Sequence, residues 1–230
     1  MFDHPYHQKI HLILDSLNAS IFHEVGAYFG GGTLVTLLFN EYRWSKDIDF
    51  ICPVGPGYRR LRELLGQSGN NQSTFFRKTD SIEFPRHLAA DQYGVRFLVV
   101  ADGAPIKFEI VAENRIQLER HDEFDWTSLP CLSEVDRFAE KLLANADRWN
   151  DESIESRDLI DLAVMRANGN IPKQSIEKSE SAYPVIDPLE KALRKFRLSE
   201  RYRNKCFDAL QIENRDSILQ GIELLAEDFS

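Results

Sequence analysis

Two aspartates separated by one residue are the first feature of this sequence that could do chemistry. Asp47 and Asp49 lie in the segment DIDFIC, which begins with the polar and apolar alternation of a β-strand. Successive strand side chains point to opposite faces, so the two carboxylates share the polar face while Ile48 and Phe50 enter the core. Such a carboxylate pair repels unless a cation lies between, and Mg²⁺ prefers one or two carboxylates with phosphate oxygens. Such a pair is common, and without further motifs the pattern favours an exposed edge strand with solvated aspartates.

A run of three glycines, Gly30 to Gly32, precedes these aspartates and is followed by the apolar run Thr33 to Phe39. Three glycines disfavour a helix, so we expect a turn, with Thr33 capping the helix that follows. The backbone N–H groups of Gly31 and Gly32 can then approach a phosphate closely, and the helix N-terminus favours its negative charge. Phosphate binding and metal binding within one short segment are typical of phosphoryl or nucleotidyl transfer.

A third carboxylate is predicted on the strand IKFEI, residues 106–110. Phe108 and Ile110 face the core, so Lys107 and Glu109 share the polar face. If this strand pairs beside the strand of the two aspartates, Glu109 completes a cluster of three carboxylates, as a metal ligand or as a base for the attacking hydroxyl. The alternative is an amphipathic strand with an ordinary surface lysine and glutamate.

The elements that must position these residues can be predicted from periodicity. Asp102-Gly103 between two strand candidates is a hairpin signal, and after Pro130 the pattern is helical. We therefore predict an α/β domain over residues 1–130 and an all-helical domain over residues 131–230. The predicted segments are strands at 95–100 and 106–111, helices beginning near 133 and spanning about 156–167, a linker at 168–184, and three short helices from 188 onward.

Composition excludes several classes of protein. The 230 residues are 43% hydrophobic and 28% charged, as in ordinary soluble domains. The sequence has no run of the ~20 apolar residues that a membrane span needs, and residues 1–17 lack the pattern of a signal peptide. Cys52, Cys131 and Cys206 are scattered without metal-binding spacing. We expect a reduced, cytoplasmic protein with no membrane partner.

One basic segment stands out in a chain whose net charge is −9. Lys191 to Lys205 contains seven lysines or arginines and one glutamate, a net charge of +6. Phe196 and Tyr202 lie among these charges, and cations with aromatic rings are what a single-stranded RNA end requires. The segment is therefore a candidate RNA-binding element; the alternative is an amphipathic helix pair with aromatic residues in its core. The arginines proposed to bind RNA are Arg194, Arg197 and Arg201.

Five motifs occur in an order that resembles one known family. They are Gly31-Gly32-Thr33, Arg43-x-Ser45-x-Asp47-x-Asp49-Phe50, the strand with Glu109, Lys141-Leu142-x-Ala144 with Arg148, and Arg157-Asp158-Leu159-x-Asp161-Leu162. From about Phe29 to Met165 the chain thus resembles the AbiEii/AbiGii toxins of the DNA polymerase β-like nucleotidyltransferase superfamily. It departs from the superfamily in having Gly-Gly-Thr for the usual Gly-Ser and a glutamate as third acid.

The resemblance implies a polymerase β-like α/β (α+β) domain with a small mixed sheet, an all-helical C-terminal part, and an active site in the cleft between them. It implies that Asp47 and Asp49 hold two Mg²⁺ ions around the NTP, with Glu109 as third carboxylate. It also implies a catalytic and nucleotide-binding role for Lys141. The other residues implied in nucleotide binding are Gly31, Gly32, Thr33, Arg43, Ser45 and Asp158.

The side chains of the helical part also have ordinary interpretations. Lys141 could form an exposed salt bridge, since it shares a helical stripe with Asn145 and Arg148. Asp158 and Asp161 could be first-turn acids that favour the helix dipole. Similarly, Arg43 could be a solvated charge and Ser45 a turn residue.

The function implied by the resemblance is transfer of NMP from an NTP to a hydroxyl, with release of pyrophosphate. Members of the family act as toxins in type IV toxin–antitoxin and phage-defence systems, so a cognate antitoxin is an expected partner. The expected acceptor is RNA, with the tRNA 3′ end first. Nucleotidylation of a protein is an alternative, and so is a non-catalytic member that binds nucleotide or a partner. The intact acids Asp47, Asp49 and Glu109 favour catalysis.

Overall fold

A computed structural model of the protein describes residues 2–229. The chain divides into two compact units, the first comprising Met1–Leu34 and Lys46–Ser133 and the second Val35–Ser45 and Glu134–Ser230. Val35–Ser45, which comes early in the sequence, is thus grouped with the helices that follow residue 133. Within residues 2–229, no helix has both the length and the apolar character needed to cross a membrane.

Among residues 2–229, the first unit contains one mixed sheet of eight strands. The strands are β1 (Tyr28–Gly30), β2 (Asp47–Pro53), β3 (Ile82–Glu83), β4 (Ala89–Ala90), β5 (Gly94–Ala101), β6 (Ala104–Glu113), β7 (Asp122–Phe124) and β8 (Thr127–Cys131). Their order is β3-β5-β6-β2-β1-β8-β7, and β4 pairs with β5 beside this path. β2 pairs with β6 and β1 with β8 in parallel, whereas the remaining pairs are antiparallel.

The hairpin between β5 and β6 confirms the prediction made from Asp102-Gly103. Both turn residues have positive φ angles, 45° at Asp102 and 73° at Gly103. A two-residue turn of this hand matches the twist of the flanking strands, and Asp-Gly adopts it readily. The turn sets the register of the whole hairpin, in which Ala101 is the Cα partner of Ala104.

The core of the first unit lies against the central strands β2 and β6. Ile48 and Phe50 of β2 and Phe108 of β6 are fully buried, as the alternation of the sequence predicts. The ring centroids of Phe50 and Phe108 lie 5.5 Å apart, and those of Phe97 and Phe108 lie 4.6 Å apart. The unit's helices are α1 (Pro5–Ser16), α2 (Ala19–Val25) and α4 (Pro56–Gln67), with a 3₁₀ turn at Gln72–Phe75; α3 (Gly31–Leu38) begins in this unit and ends in the second.

The second unit is helical, as expected. The helices α6 (Arg157–Asn168) and α10 (Arg215–Asp228) pack closely at Gly221, where an added Cβ would overlap the carbonyl oxygen of Ala163. Only a residue without a side chain permits so close an approach. The helices are α5 (Glu134–Arg148), α6 (Arg157–Asn168), α7 (Lys173–Ala182), α8 (Ile186–Leu198), α9 (Glu200–Ala209) and α10 (Arg215–Asp228), with a 3₁₀ turn at Glu152–Ile154.

The prediction of a linker at residues 168–184 is wrong, because most of that segment is α7. The helix buries Ser175 and Ser179 rather than large apolar residues. The Ser175 hydroxyl donates to the carbonyl oxygen of Val135 on α5 at 2.8 Å, and the Ser179 hydroxyl donates to that of Ser175 at 2.6 Å. A buried face made of serines carries no hydrophobic periodicity, so the sequence resembled a loop.

Candidate active site

The three candidate carboxylates lie on neighbouring strands at the centre of the sheet. β2 and β6 are parallel, and Asp49 is the Cα partner of Glu109, as Asp47 is of Lys107. Registered residues on adjacent strands project to the same face of a sheet, so Asp47, Asp49 and Glu109 share one face. The expectation that the strand of Glu109 pairs beside the strand of the two aspartates is therefore confirmed.

Gly31 lies directly against the carboxylate of Asp49. Its φ of +66° is in the left-handed region, and an added Cβ would overlap Oδ2 of Asp49. Glycine is therefore required at this position for two reasons: the left-handed backbone angle, and the lack of space for a Cβ beside Asp49. The backbone at the start of α3 is therefore packed directly against the side chain of Asp49.

Thr33 ties the first turn of α3 to the strand of the aspartates. Its hydroxyl donates to the main-chain carbonyl oxygen of Asp47 at 2.5 Å. The expectation that Gly30 to Gly32 form a turn with Thr33 as the cap is wrong in detail, because Gly30 ends β1 and α3 begins at Gly31. The left-handed Gly31 makes the strand-to-helix change in a single residue, which leaves Thr33 inside the helix.

Glu109 is already held by two cations. It accepts from Nε of Arg96 at 2.9 Å and from Nζ of Lys107 at 2.5 Å, and 16% of its side chain is exposed. Arg96 was not among the predicted site residues, although a signal existed. The two-residue turn at Asp102-Gly103 fixes the hairpin register, and this register makes Arg96 the Cα partner of Glu109.

The donor set suits a hard divalent cation, since carboxylate oxygens are the ligands that Mg²⁺ prefers. Asp47 and Asp49 could supply them, whereas Glu109 would first have to exchange Arg96 and Lys107 for a metal ion. In the arrangement described for residues 2–229, no three His, Cys, Asp or Glu side chains are grouped so as to hold a metal ion. Asp47 and Asp49 therefore fit the chemistry of a Mg²⁺ site, whereas Glu109 fits it only after its two ion pairs are exchanged.

Tyr6 is a further residue that the sequence did not single out. Its hydroxyl, carried by α1, donates to the carbonyl oxygen of Pro105 at 3.1 Å. Burial, and secondly the charge of Asp47, raise the pKa of Tyr6 above its ordinary value. Tyr6 is thus a neutral hydroxyl next to the first aspartate. No local pattern predicts this, because the two residues meet only through the packing of α1 on the strands.

The second unit contains a buried cluster of charges around Asp161. Nε and Nη2 of Arg43 donate to its two carboxylate oxygens at 2.6 and 2.9 Å, and the Tyr42 hydroxyl donates to Oδ1 at 2.5 Å. Nζ of Lys141 lies 2.5 Å from Oδ2. Arg43 is 4% exposed and Lys141 6%, so the interpretations of these residues as a solvated charge and an exposed salt bridge are both wrong.

Asp158 is the second carboxylate of this cluster. It accepts from Nζ of Lys141 at 3.1 Å and from Nε and Nη2 of Arg148 at 2.6 and 3.0 Å. Asp158 is 2% exposed, whereas 37% of the Arg148 side chain is exposed. Asp158 and Asp161 are thus buried ion-pair partners and not merely first-turn acids. Ser45, which precedes Lys46, is also buried at 7% exposure.

The cluster keeps both aspartates ionised. Burial alone would raise the pKa of Asp158, but the charges of Lys141 and Arg148 bring it well below its ordinary value. Burial likewise opposes ionisation of Asp161, and Arg43 followed by Lys141 lowers its pKa. Burial and the neighbouring Asp161 hold the pKa of Tyr42 well above its usual range. At neutral pH the cluster therefore consists of three cations, two carboxylates and one neutral phenol.

The basic segment of residues 191–205 folds into parts of α8 and α9. Phe196 is fully buried and Tyr202 is 8% exposed, so these rings belong to the core and the expectation that they stack on RNA bases is wrong. Arg197 pairs with Glu223 through distances of 3.1 and 2.8 Å. Arg194 and Arg201 are exposed, and neither makes an ion pair within the described part of the chain.

A groove of about 840 Å³ runs beside Arg194 and Arg197, among the helices α8, α9 and α10. Its walls are both apolar and charged, with Leu198 80% exposed. None of the carboxylates of the sheet and none of the buried cluster line it. Among residues 2–229, Arg194 lines the groove without an ion pair, and Arg197 lines it while paired with Glu223. Arg201 does not line the groove.

Comparison with known proteins gives one family. A model of the family described as the nucleotidyl transferase AbiEii toxin of type IV toxin–antitoxin systems matches residues 12–212. This match includes every site residue predicted from the sequence, whereas Tyr6 lies before it. No curated protein matches the chain.

Solved structures share the fold at low sequence identity. A candidate nucleotidyltransferase from H. pylori is 16% identical with a TM-score of 0.54, covering 96% of this chain and 92% of its own. JHP933 from Helicobacter pylori is 15% identical with a TM-score of 0.54, covering 99% and 93%. Both likenesses show a shared fold, in agreement with the α/β domain followed by helices that the sequence predicts.

Proposed function

Because the chain belongs to the AbiEii nucleotidyltransferase toxin family of type IV toxin–antitoxin systems, we propose that it transfers NMP from an NTP to a hydroxyl of RNA, with the tRNA 3′ end as the acceptor. The observation that carries this proposal is the register of Asp49 with Glu109, beside the close contact of Gly31 with Asp49. This geometry places the N-terminus of α3 beside the carboxylates of the neighbouring strands β2 and β6. NTP is the substrate that the family implies.

We assign the carboxylates of the first unit to Mg²⁺. Asp47 and Asp49 would hold two ions, with Glu109 as the third carboxylate, and bound Mg²⁺ would neutralise the negative charge of the triphosphate. The chain's own contribution is to keep Asp49 fixed against the backbone of Gly31. The main-chain N–H groups of Gly31 and Gly32, at the start of α3, are suited to a phosphate oxygen.

We assign the cations of the second unit to the triphosphate. Arg43 and Lys141 are held by buried carboxylates, so neither side chain needs to be ordered when an NTP binds. Asp158 orients Lys141 and Arg148, and Ser45 can offer a hydroxyl. Charged donors fixed in this way stabilise negative charge more strongly than mobile surface cations do.

Arg194 and Arg201 support RNA as the acceptor, since both are exposed cations without an ion-pair partner in residues 2–229. Arg197 would have to exchange Glu223 for a phosphate. A cytoplasmic location follows from this proposal because tRNA and NTP are found there. The cognate antitoxin that the family implies is a further partner.

The proposal is tested by incubating the purified protein with each α-labelled NTP in turn, Mg²⁺ and total RNA. We expect a labelled product in the size range of tRNA that nuclease removes and protease does not. Label that is resistant to nuclease and removed by protease would instead establish nucleotidylation of a protein. NTP binding without any labelled product would identify a non-catalytic member and overturn the proposal.

A further inference from the structure

Asp161 is the fully buried carboxylate that pairs with both Arg43 and Lys141. Four donor contacts converge on its two oxygens, from Nε and Nη2 of Arg43, the hydroxyl of Tyr42 and Nζ of Lys141. An ionised carboxylate offers about four lone-pair sites. Asp161 is therefore saturated, and both cations proposed to bind the triphosphate are attached to this one group.

The donors to Asp161 come from separate segments of the second unit. Tyr42 and Arg43 lie in the irregular chain after α3, Lys141 lies on α5, and Asp161 itself lies on α6. The bidentate contact with Arg43 fixes the plane of its guanidinium group as well as its position. Asp161 thus determines where each of the two cations lies relative to the other.

The ammonium group of Lys141 keeps one hydrogen that neither aspartate accepts. This group has three hydrogens, and Asp158 at 3.1 Å and Asp161 at 2.5 Å account for two of them. The described residues provide no third acceptor for Nζ. The direction of the remaining N–H is then set by the two carboxylates, and a phosphate oxygen is a suitable acceptor for it.

We propose that Asp161 is a positioning residue for nucleotidyl transfer, which fixes the directions of Arg43 and Lys141 so that a triphosphate meets donors already in place. The inference rests on the proposed function and adds a residue that never touches the substrate. Preorganised donors cost no reorganisation during the reaction, and a misplacement of about 1 Å can lower a rate by about 100-fold.

A competing account uses charge alone. Arg43, Lys141 and Arg148 face Asp158 and Asp161, so the cluster carries one positive charge in excess. Asp161→Asn would raise this excess and, by attraction alone, tighten triphosphate binding. The positioning account predicts the opposite, because the amide nitrogen of asparagine is a donor and cannot accept from Arg43 or Lys141.

The experiment compares Asp161→Asn with Asp136→Asn and Asp161→Glu. Asp136 is a matched control, since it is also fully buried in the second unit and pairs with Lys178 at 2.7 Å, apart from Arg43 and Lys141. Urea unfolding gives the folded fraction of each variant. The binding of NTP is then measured by calorimetry, and kcat and KM are measured in the labelling assay.

We expect Asp161→Asn to bind NTP severalfold more weakly and to lose at least about tenfold in kcat per folded molecule. Asp136→Asn should lose stability alone, and Asp161→Glu should recover part of kcat. Tighter binding by Asp161→Asn would establish the charge account, and equal kcat values for both asparagine variants would establish a purely structural role; either result overturns the proposal. If the wild-type protein neither binds NTP nor labels RNA, both the proposed function and the role of Asp161 are overturned. If the wild type is active and Asp161→Asn gives either contrary result, only the role of Asp161 is overturned.

Discussion

Gly31 and Asp49 are packed so closely that a methyl group on the glycine would lie 2.4 Å from a carboxylate oxygen of Asp49. Gly31 begins α3 with a φ of +66°, while Asp49 lies in the middle of β2. The contact joins the two features that first suggested chemistry in this sequence, the glycine run and the aspartate pair. Gly31 is thus constrained both by its backbone angle and by the lack of space for a side chain.

Gly31→Ala should therefore abolish nucleotidyl transfer, because the new methyl group displaces the carboxylate of Asp49. The matched control is Gly103→Ala, at a φ of +73° with nothing within 4 Å of the added Cβ. Both variants should lose about 1 kcal/mol of unfolding free energy from the left-handed backbone, measured by urea unfolding. Full transfer activity in Gly31→Ala would show that the position of Asp49 does not matter.

Lys141→Ala should be strongly destabilising as well as inactive. It leaves Asp158 and Asp161 as buried charges that lack one cation each, and breaking a buried pair costs about 3–5 kcal/mol. Arg166→Ala removes a partly exposed ion pair with Asp228 and should cost about 1 kcal/mol or less, with transfer unchanged. Urea unfolding and the labelling assay measure both effects. Equal, small effects of the two substitutions would contradict the buried cluster.

Acid should weaken the second unit through the same aspartates. The folded-state pKa values of Asp158 and Asp161 lie below their ordinary value. Their contribution to stability is thus complete above an unfolded-state pKa of about 3.9 and is lost as the pH falls below it. Asp158→Asn should lower the free energy of unfolding at pH 7 and make it less dependent on pH below about 4.

The control for this pH series is Asp216→Asn, which removes an exposed aspartate of α10. Its free energy of unfolding, measured in urea at pH 7, 4 and 3, should follow the wild-type curve. If Asp158→Asn also runs parallel to the wild type below pH 4, Asp158 does not contribute to acid sensitivity.

Salt dependence tests RNA as the acceptor. Arg194→Glu combined with Arg201→Glu should sharply reduce RNA labelling and lower the slope of log affinity against log salt by about 1.4, as expected for two contacts to single-stranded RNA. NTP binding should be unchanged. Lys78→Glu with Lys173→Glu, at two other exposed lysines, matches the change in charge. Equal RNA labelling by both double variants would mean that Arg194 and Arg201 are ordinary solvated charges.

Much of the first unit can be predicted from the sequence because its signals are local. Alternation placed Ile48 and Phe50 inward and the aspartates on the opposite face, and Asp102-Gly103 set the hairpin. The same hairpin register contained the pairing of Arg96 with Glu109, which could have been derived by counting from the turn. The pairing of β2 with β6 was only a conditional expectation, since a parallel pair leaves no local mark in the sequence.

The buried cluster of the second unit could not be predicted in this way. Arg43 and Asp161 are 118 residues apart, and only tertiary packing brings them together. Lys141 occupied a helical position that an exposed lysine could equally fill, so periodicity could not show its burial. Phe196 and Tyr202 illustrate the opposite error, since rings among charges suggested a surface although both lie in the core.

Asp49→Asn tests whether the carboxylates of β2 carry nucleotidyl transfer. The variant keeps the shape of the side chain beside Gly31 and removes its charge, so the protein should remain folded. The measurement is the rate at which RNA is labelled from the α-labelled NTP that the wild type prefers. Wild type and variant are compared with Mg²⁺ at equal concentrations of folded protein. We expect the rate of transfer to fall by about 100-fold or more, because a metal ligand is lost. Transfer by Asp49→Asn at the wild-type rate would show that the Asp49 carboxylate is not needed for nucleotidyl transfer.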